Sequence, residues 1–93
     1  MIIISKMDVG AKIQIKTHNS LYKLEKINTE NDFLIEGGSR WPKPHKVFVN
    51  GCTWGGSMIK PGVIEENMYM EIIDLECNKI IITSPIESII VPI

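Results

Sequence analysis

Apolar and polar residues alternate with a period of two along several short segments of this 93-residue chain. Residues 12–16 read Lys-Ile-Gln-Ile-Lys, and residues 21–27 follow after the polar stretch His18–Ser20. Strict alternation is typical of a strand with one buried face, and a polar turn between two such runs is typical of a hairpin. We therefore predict a β-hairpin formed by these two segments.

Further strands are predicted along the rest of the chain. They cover 33–36, 47–49, 68–75, 79–84 and 86–93. Asn50-Gly51 is a strong turn dipeptide and is expected to end the 47–49 strand. Pro85 is expected to separate the last two strands, because proline cannot donate a ladder hydrogen bond. At most one helical turn is expected, near 61–67.

The composition agrees with this pattern. Eighteen isoleucines and five valines favour pleated, half-buried backbone over helix. Ninety-three residues are enough for one domain with a single core. The predicted fold class is therefore all-β, a single domain over 1–93 built as a small barrel or sandwich of six to eight short antiparallel strands.

Isoleucine falls on both faces of the late strands. The adjacent pairs Ile72-Ile73 and Ile89-Ile90 and the triplet 80–82 place apolar side chains on each side of the sheet. A strand that is buried on both faces needs a second layer, which a chain of this size does not easily supply. We predict a homo-oligomer that uses strand edges or the C-terminal strand as its contact.

The charges are divided unevenly along the chain. Residues 1–60 carry a net charge of +4 and residues 61–93 a net charge of −5, although the total is −1. This division arises by chance among solvated faces, or it separates a basic ligand-facing side from an acidic side, or it pairs oppositely charged protomers. The low net charge makes nucleic acid an unfavourable partner.

Other features indicate the compartment. No apolar run is long enough to span a bilayer, so no membrane partner is expected, and the start of the chain lacks the features of a signal peptide. We expect a cytoplasmic protein, in the host cytoplasm if the chain is phage-encoded. Cys52 and Cys77 are then expected to stay reduced.

The window from Gly37 to Ile64 contains no acidic residue, and it holds both tryptophans, the only arginine and two Gly-Gly-Ser triplets. Backbone amides beside paired glycines can converge on one anion oxygen, and tryptophan can stack on a base. Arginine can grip a phosphate through two hydrogen bonds. The candidate ligand-binding residues are Arg40, Trp41, Thr53, Trp54, Gly55, Gly56, Ser57 and Lys60.

Structural explanations of the same residues stay open. A glycine pair also suits a β-bulge or a tight barrel bend. The segment 40–46, with its two prolines, also suits a solvated loop that tucks Trp41 against the end of a barrel.

Catalytic and metal sites are not favoured. His18 and His45 are the only histidines, and Cys52 is the only plausible nucleophile near either of them. The two cysteines and two histidines lack the spacing of a metal site. We predict a protein that is not an enzyme and that needs no cofactor or metal.

Three segments carry a resemblance. These are Thr17-x-Asn19-Ser20-x-Tyr22, the run from Gly51 to Gly62 with Thr53-Trp54-Gly55-Gly56-Ser57 at its centre, and Thr83-Ser84-Pro85. Together they resemble a group of short, uncharacterised bacterial and phage proteins, and the resemblance covers most of the chain. It implies no activity of its own. Small phage-borne proteins include sponges that sequester nucleotide immune signals, and the size and chemistry of this chain suit that role.

The leading hypothesis is non-catalytic binding and sequestration of a nucleotide-like anionic small molecule. The first alternative is a small barrel that binds single-stranded nucleic acid, for which the four cations in the acid-free window (Arg40, Lys43, Lys46 and Lys60) are few. The second alternative is a structural or assembly module that binds no ligand.

Overall fold

The structure, a computed structural model, describes residues 1–54 and 58–91, and 64% of these residues lie in β-strands. The prediction of an all-β fold is confirmed. The strands are β1 (Ile2–Ile3), β2 (Lys12–Thr17), β3 (Leu21–Lys26), β4 (Asp32–Gly37), β5 (Trp41–Thr53), β6 (Ile59–Pro61), β7 (Val63–Ile64), β8 (Tyr69–Asp74) and β9 (Lys79–Ile90).

Six antiparallel strands close into a barrel. Their order is β4-β3-β2-β9-β8-β5, and β5 pairs back onto β4 to complete the circle. Closure gives each of these six strands a neighbour on both sides. Outside the barrel, β6 pairs with the end of β5, and β1 pairs with β7.

Two long strands turn the corners of the barrel. β5 pairs with β4 over 41–48 and with β8 over 47–53. β9 pairs with β8 over 79–85 and with β2 over 86–90. Each strand changes neighbour beside a shift in register, and an extra residue at such a shift bends the strand.

The structure corrects two of the predicted strand ends. Asn50-Gly51 is not a turn, because β5 continues to Thr53 and the register shifts between Val49 and Gly51. Gly51 has a φ of +149°, and a Cβ atom added there would clash with the backbone carbonyl of Lys60 on β6. The close approach of β6 therefore requires glycine at this position. Pro85 does not end a strand either, because it lies within β9.

The segment with two prolines is also strand. The predicted 47–49 strand begins at Trp41, and Pro42 and Pro44 are exposed positions within β5. No helical turn lies in 61–67, in agreement with the prediction of at most one there, and this region contains β7. A single 3-10 turn in the described residues lies at Ile4–Lys6.

One end of the barrel is closed by the N-terminal segment and a buried lysine. Lys26, the last residue of β3, is 2% exposed. Its Nζ donates hydrogen bonds to the carbonyl oxygens of Ile4 at 2.7 Å and Met7 at 3.1 Å. These bonds satisfy the buried ammonium and fix the segment that covers the core.

Candidate functional site

The structure divides the predicted ligand-binding residues between the two ends of β5. Arg40 and Trp41 stand at its beginning, and Thr53 and Trp54 stand at its end. Lys60 lies on β6, directly opposite Cys52. Eleven residues of β5, 42–52, lie between the two groups, so Arg40 and Lys60 stand near opposite ends of this strand. The predicted residues Gly55, Gly56 and Ser57 lie outside the described residues.

Trp41 belongs to the core. It is 3% exposed, and its ring lies 5.8 Å from the ring of Tyr22 in an edge-to-face arrangement. The ring of His45 stacks with it at 6.5 Å between centroids. Trp41 lies opposite Gly37 across the β4–β5 hairpin. Because so little of Trp41 is exposed, the structure does not support the prediction that its ring stacks on a base.

Trp54 lies at the surface and has a cation beside it. Trp54 is 52% exposed and lies just beyond the end of β5. The ammonium nitrogen of Lys60 lies 5.8 Å from the centroid of the indole ring, within the range of a cation–π interaction. Lys60 also forms a 2.8 Å ion pair with Glu65. These contacts hold the ammonium at the edge of an accessible aromatic surface.

The residues beneath this surface are buried. Thr53 is 1% exposed, so its hydroxyl does not belong to the accessible surface and its predicted contact with a ligand is not supported. Cys52 is fully buried and its Sγ accepts a hydrogen bond from the backbone N–H of Glu65 at 3.4 Å. Burial raises the pKa of the Cys52 thiol above its ordinary value. The protonated thiol is a poor nucleophile at neutral pH.

A histidine–aspartate pair was missed by sequence reasoning. His45 Nε2 lies 2.8 Å from Oδ1 of Asp74, and His45 Nδ1 lies 3.8 Å from Oε1 of Glu76. The hydrogen bond from His45 and backbone hydrogen bonds from Glu76 and Cys77 lower the pKa of Asp74, against the opposite effect of burial. His45 and Asp74 are 29 positions apart, so no local pattern could have indicated their contact.

A depression of about 520 Å³ lies elsewhere, on the outer face of β2, β3 and β4. None of the predicted site residues lines it. Its charged side chains alternate in sign, with Lys12 directly opposite Glu25 and Lys23 directly opposite Glu36. Such a checkerboard is typical of a solvated strand face and does not select an anion.

Across 1–54 and 58–91, no group of three or more His, Cys, Asp or Glu side chains is arranged to hold a metal ion. In the same residues there is no helix with the length and apolarity that a membrane crossing requires.

Comparisons with known proteins identify no relative. No protein-family model, curated protein or solved structure matches the chain. The resemblance to short bacterial and phage proteins therefore remains a prediction from the sequence.

Proposed function

We propose that this protein binds a nucleotide-like anionic small molecule without altering it, at the surface formed by Trp54 and Lys60. One observation carries the proposal: an exposed indole ring has an ammonium group 5.8 Å from its centroid. The ring offers a face on which a base stacks, and the ammonium offers a charge for an attached phosphate.

The burial of Trp41 supports a ligand with a single base. Groove proteins for single strands stack successive bases on successive aromatic side chains. Trp54 is the one aromatic residue among the exposed large apolar side chains of the described chain. The cation Arg40 lies at the opposite end of β5. A small ligand with one stacking base fits this arrangement better than a polymer does.

Glu65 sets the strength of the anion contact. Its carboxylate is 2.8 Å from the Lys60 ammonium and therefore competes with any phosphate for the same charge. The ion pair also restricts the long lysine side chain and keeps it beside the ring. Removing the carboxylate should strengthen anion binding, while removing the ammonium should weaken it.

Binding without chemistry is supported by the surroundings of the site. The buried Cys52 thiol beneath it has a raised pKa and is protonated at neutral pH. The histidine–aspartate pair joins β5 to the end of β8, several residues along the strand from Trp54. Sequestration of a signalling nucleotide is the role that such a site would serve in a phage-encoded protein.

A titration panel tests the proposal. Cyclic nucleotides, linear nucleotides, the matching uncharged nucleosides and a single-stranded oligonucleotide are titrated separately by calorimetry. We expect saturable one-site binding of a nucleotide and recovery of the unaltered ligand after the complex is denatured. Binding of the oligonucleotide alone would favour the nucleic-acid alternative, and recovery of a modified ligand would indicate an enzyme.

Two charge variants sharpen this test. We expect Lys60→Gln to weaken nucleotide binding by roughly five-fold, as for an exposed ion pair of about 1 kcal/mol, and Glu65→Gln to strengthen it by a similar factor. The matching nucleoside has no phosphate, so neither variant should change its affinity. Equal effects on nucleotide and nucleoside would contradict a phosphate contact at Lys60.

A further inference from the structure

The outer face of β5, β8 and β9 carries a continuous apolar patch. Phe48, Ile73 and Ile80 occupy directly opposite positions on the three strands, and Ile82 follows two residues along β9. Ile80 is 61% exposed and Ile82 is 45% exposed, while Phe48 and Ile73 are partly exposed. We call these four side chains the isoleucine face.

The isoleucine face departs from the pattern of the barrel's other side. The outward positions of β2 are Lys12, Gln14 and Lys16, and β3 presents Lys23 and Glu25 in the same way. A contiguous apolar patch on an otherwise polar surface marks a protein contact more often than chance exposure does. The isoleucine face is therefore the best candidate contact surface of the described chain.

We propose that the isoleucine face packs against the same face of a second copy in a two-fold symmetric dimer. A self-pairing surface must not repel itself. Glu71, directly opposite Ile82, accepts a hydrogen bond from the side-chain amide of Asn50 at 2.5 Å, so its carboxylate is held in place within one copy. Two sheets stacked face to face in this way form the layer arrangement of a sandwich.

Charge complementarity favours a second copy over other occupants. Exposed Lys46, two residues before Phe48 on β5 and therefore on the same face, lies at one end, and Glu71 lies toward the other end. A two-fold axis across the strands places the basic end of one copy over the acidic end of its partner. Membranes and nucleic acids are anionic. The segment 61–93, which supplies two of the three strands, carries a net charge of −5 and therefore disfavours both as occupants of this face.

The size of the face sets the expected strength. Three strands spaced by ~4.8 Å and six residues rising by ~3.3 Å each give a face of about 14 by 20 Å. A standard stable interface buries about 800 Å² on each partner, which is more than this face supplies without its rim. We expect a reversible dimer that dissociates in the micromolar range.

Sedimentation velocity over a series of micromolar concentrations tests the dimer. The parent protein should shift from the 10.5 kDa monomer to a dimer as its concentration rises. Ile82→Lys should stay monomeric throughout the series. Leu21→Lys is the matched control, because Leu21 is also 45% exposed but lies on β3, and it should dimerise like the parent.

A second variant separates loss of the dimer from loss of the fold. Ile80→Thr keeps a β-branched side chain and should retain the parent's thermal unfolding midpoint while weakening the dimer several-fold. A parent that stays monomeric at every concentration would overturn the proposal. Dimerisation of Ile82→Lys with the parent's affinity would overturn it as well, because it would place the contact on another face.

Discussion

His45 and Asp74 are joined by a 2.8 Å hydrogen bond between Nε2 and Oδ1. The bond ties the first half of β5 to the last residue of β8, and both side chains are largely buried, at 19% and 9% exposure. The same carboxylate oxygen accepts the backbone N–H of Glu76 at 2.9 Å. One aspartate thus fixes the start of the β8–β9 turn against the strand that lies beside it.

Acid should weaken this part of the fold. The folded state lowers the pKa of Asp74 below its ordinary value of 3.8, mainly through the hydrogen bond with His45. The stabilisation is fully present above pH 3.8 and is lost as the pH falls further through the lower pKa of the folded state. Chemical unfolding measured across this range should show a fall in the free energy of unfolding.

Asp74→Asn isolates that contribution. We expect a loss of about 1–3 kcal/mol at neutral pH, the range for a hydrogen bond to a charged group and its unsatisfied partners, together with a shallower acid dependence. Glu76→Gln is the control, since this carboxylate is 77% exposed and 3.8 Å from the other histidine nitrogen. An acid dependence that is identical in Asp74→Asn and the parent would contradict this assignment.

Local pattern determined the parts of the fold that could be predicted. The β2–β3 hairpin follows from alternation on both sides of His18–Ser20, and the turn after Asp74 lies where the polar residues 76–78 indicated it. Pro42, Pro44 and Asn50-Gly51 have strong local preferences for turns and loops. β5 overrides them because the prolines occupy exposed positions and Gly51 forms the bulge that lets β6 approach.

The candidate site could be predicted only in part. The sequence favoured a tryptophan beside a cation, and Trp54 with Lys60 has that arrangement. Nothing in the order of residues distinguished exposed Trp54 from buried Trp41, because the burial of Trp41 depends on Tyr22 and His45 arriving from other positions of the chain. The Lys60–Glu65 ion pair could not be inferred either, since it depends on how the chain turns after β6.

Gly51→Ala should destabilise the barrel severely. A side chain there meets the Lys60 carbonyl and also forces alanine into a positive-φ conformation. Gly62→Ala is the control, because its φ is also positive, at +67°, but there is open space around the added atom. Thermal or urea unfolding should show Gly51→Ala to be about 1–3 kcal/mol worse than the control, the usual cost of overpacking. Equal losses would show that β6 moves away freely.

Lys26→Met should lower the free energy of unfolding by about 1–3 kcal/mol, because it removes the hydrogen bonds that the ammonium donates to two carbonyl groups. The carbonyls are those of Ile4 and Met7, in the segment that covers the barrel end. Lys23→Met, an exposed change on the same strand, should have little effect. A urea midpoint that is unchanged or higher in Lys26→Met would mean that burying the ammonium costs as much as its bonds contribute.

Binding of a nucleotide at Trp54 is tested most directly by calorimetry on three folded proteins, the parent and two variants. Trp54→Ala should weaken binding by roughly 5- to 150-fold, the equivalent of ~1–3 kcal/mol of base stacking. Met58→Ala is the control: Met58 is 67% exposed and has no ring, so this variant should bind like the parent. A nucleotide that binds the parent and Trp54→Ala with the same affinity would contradict the assignment of the ligand to this surface.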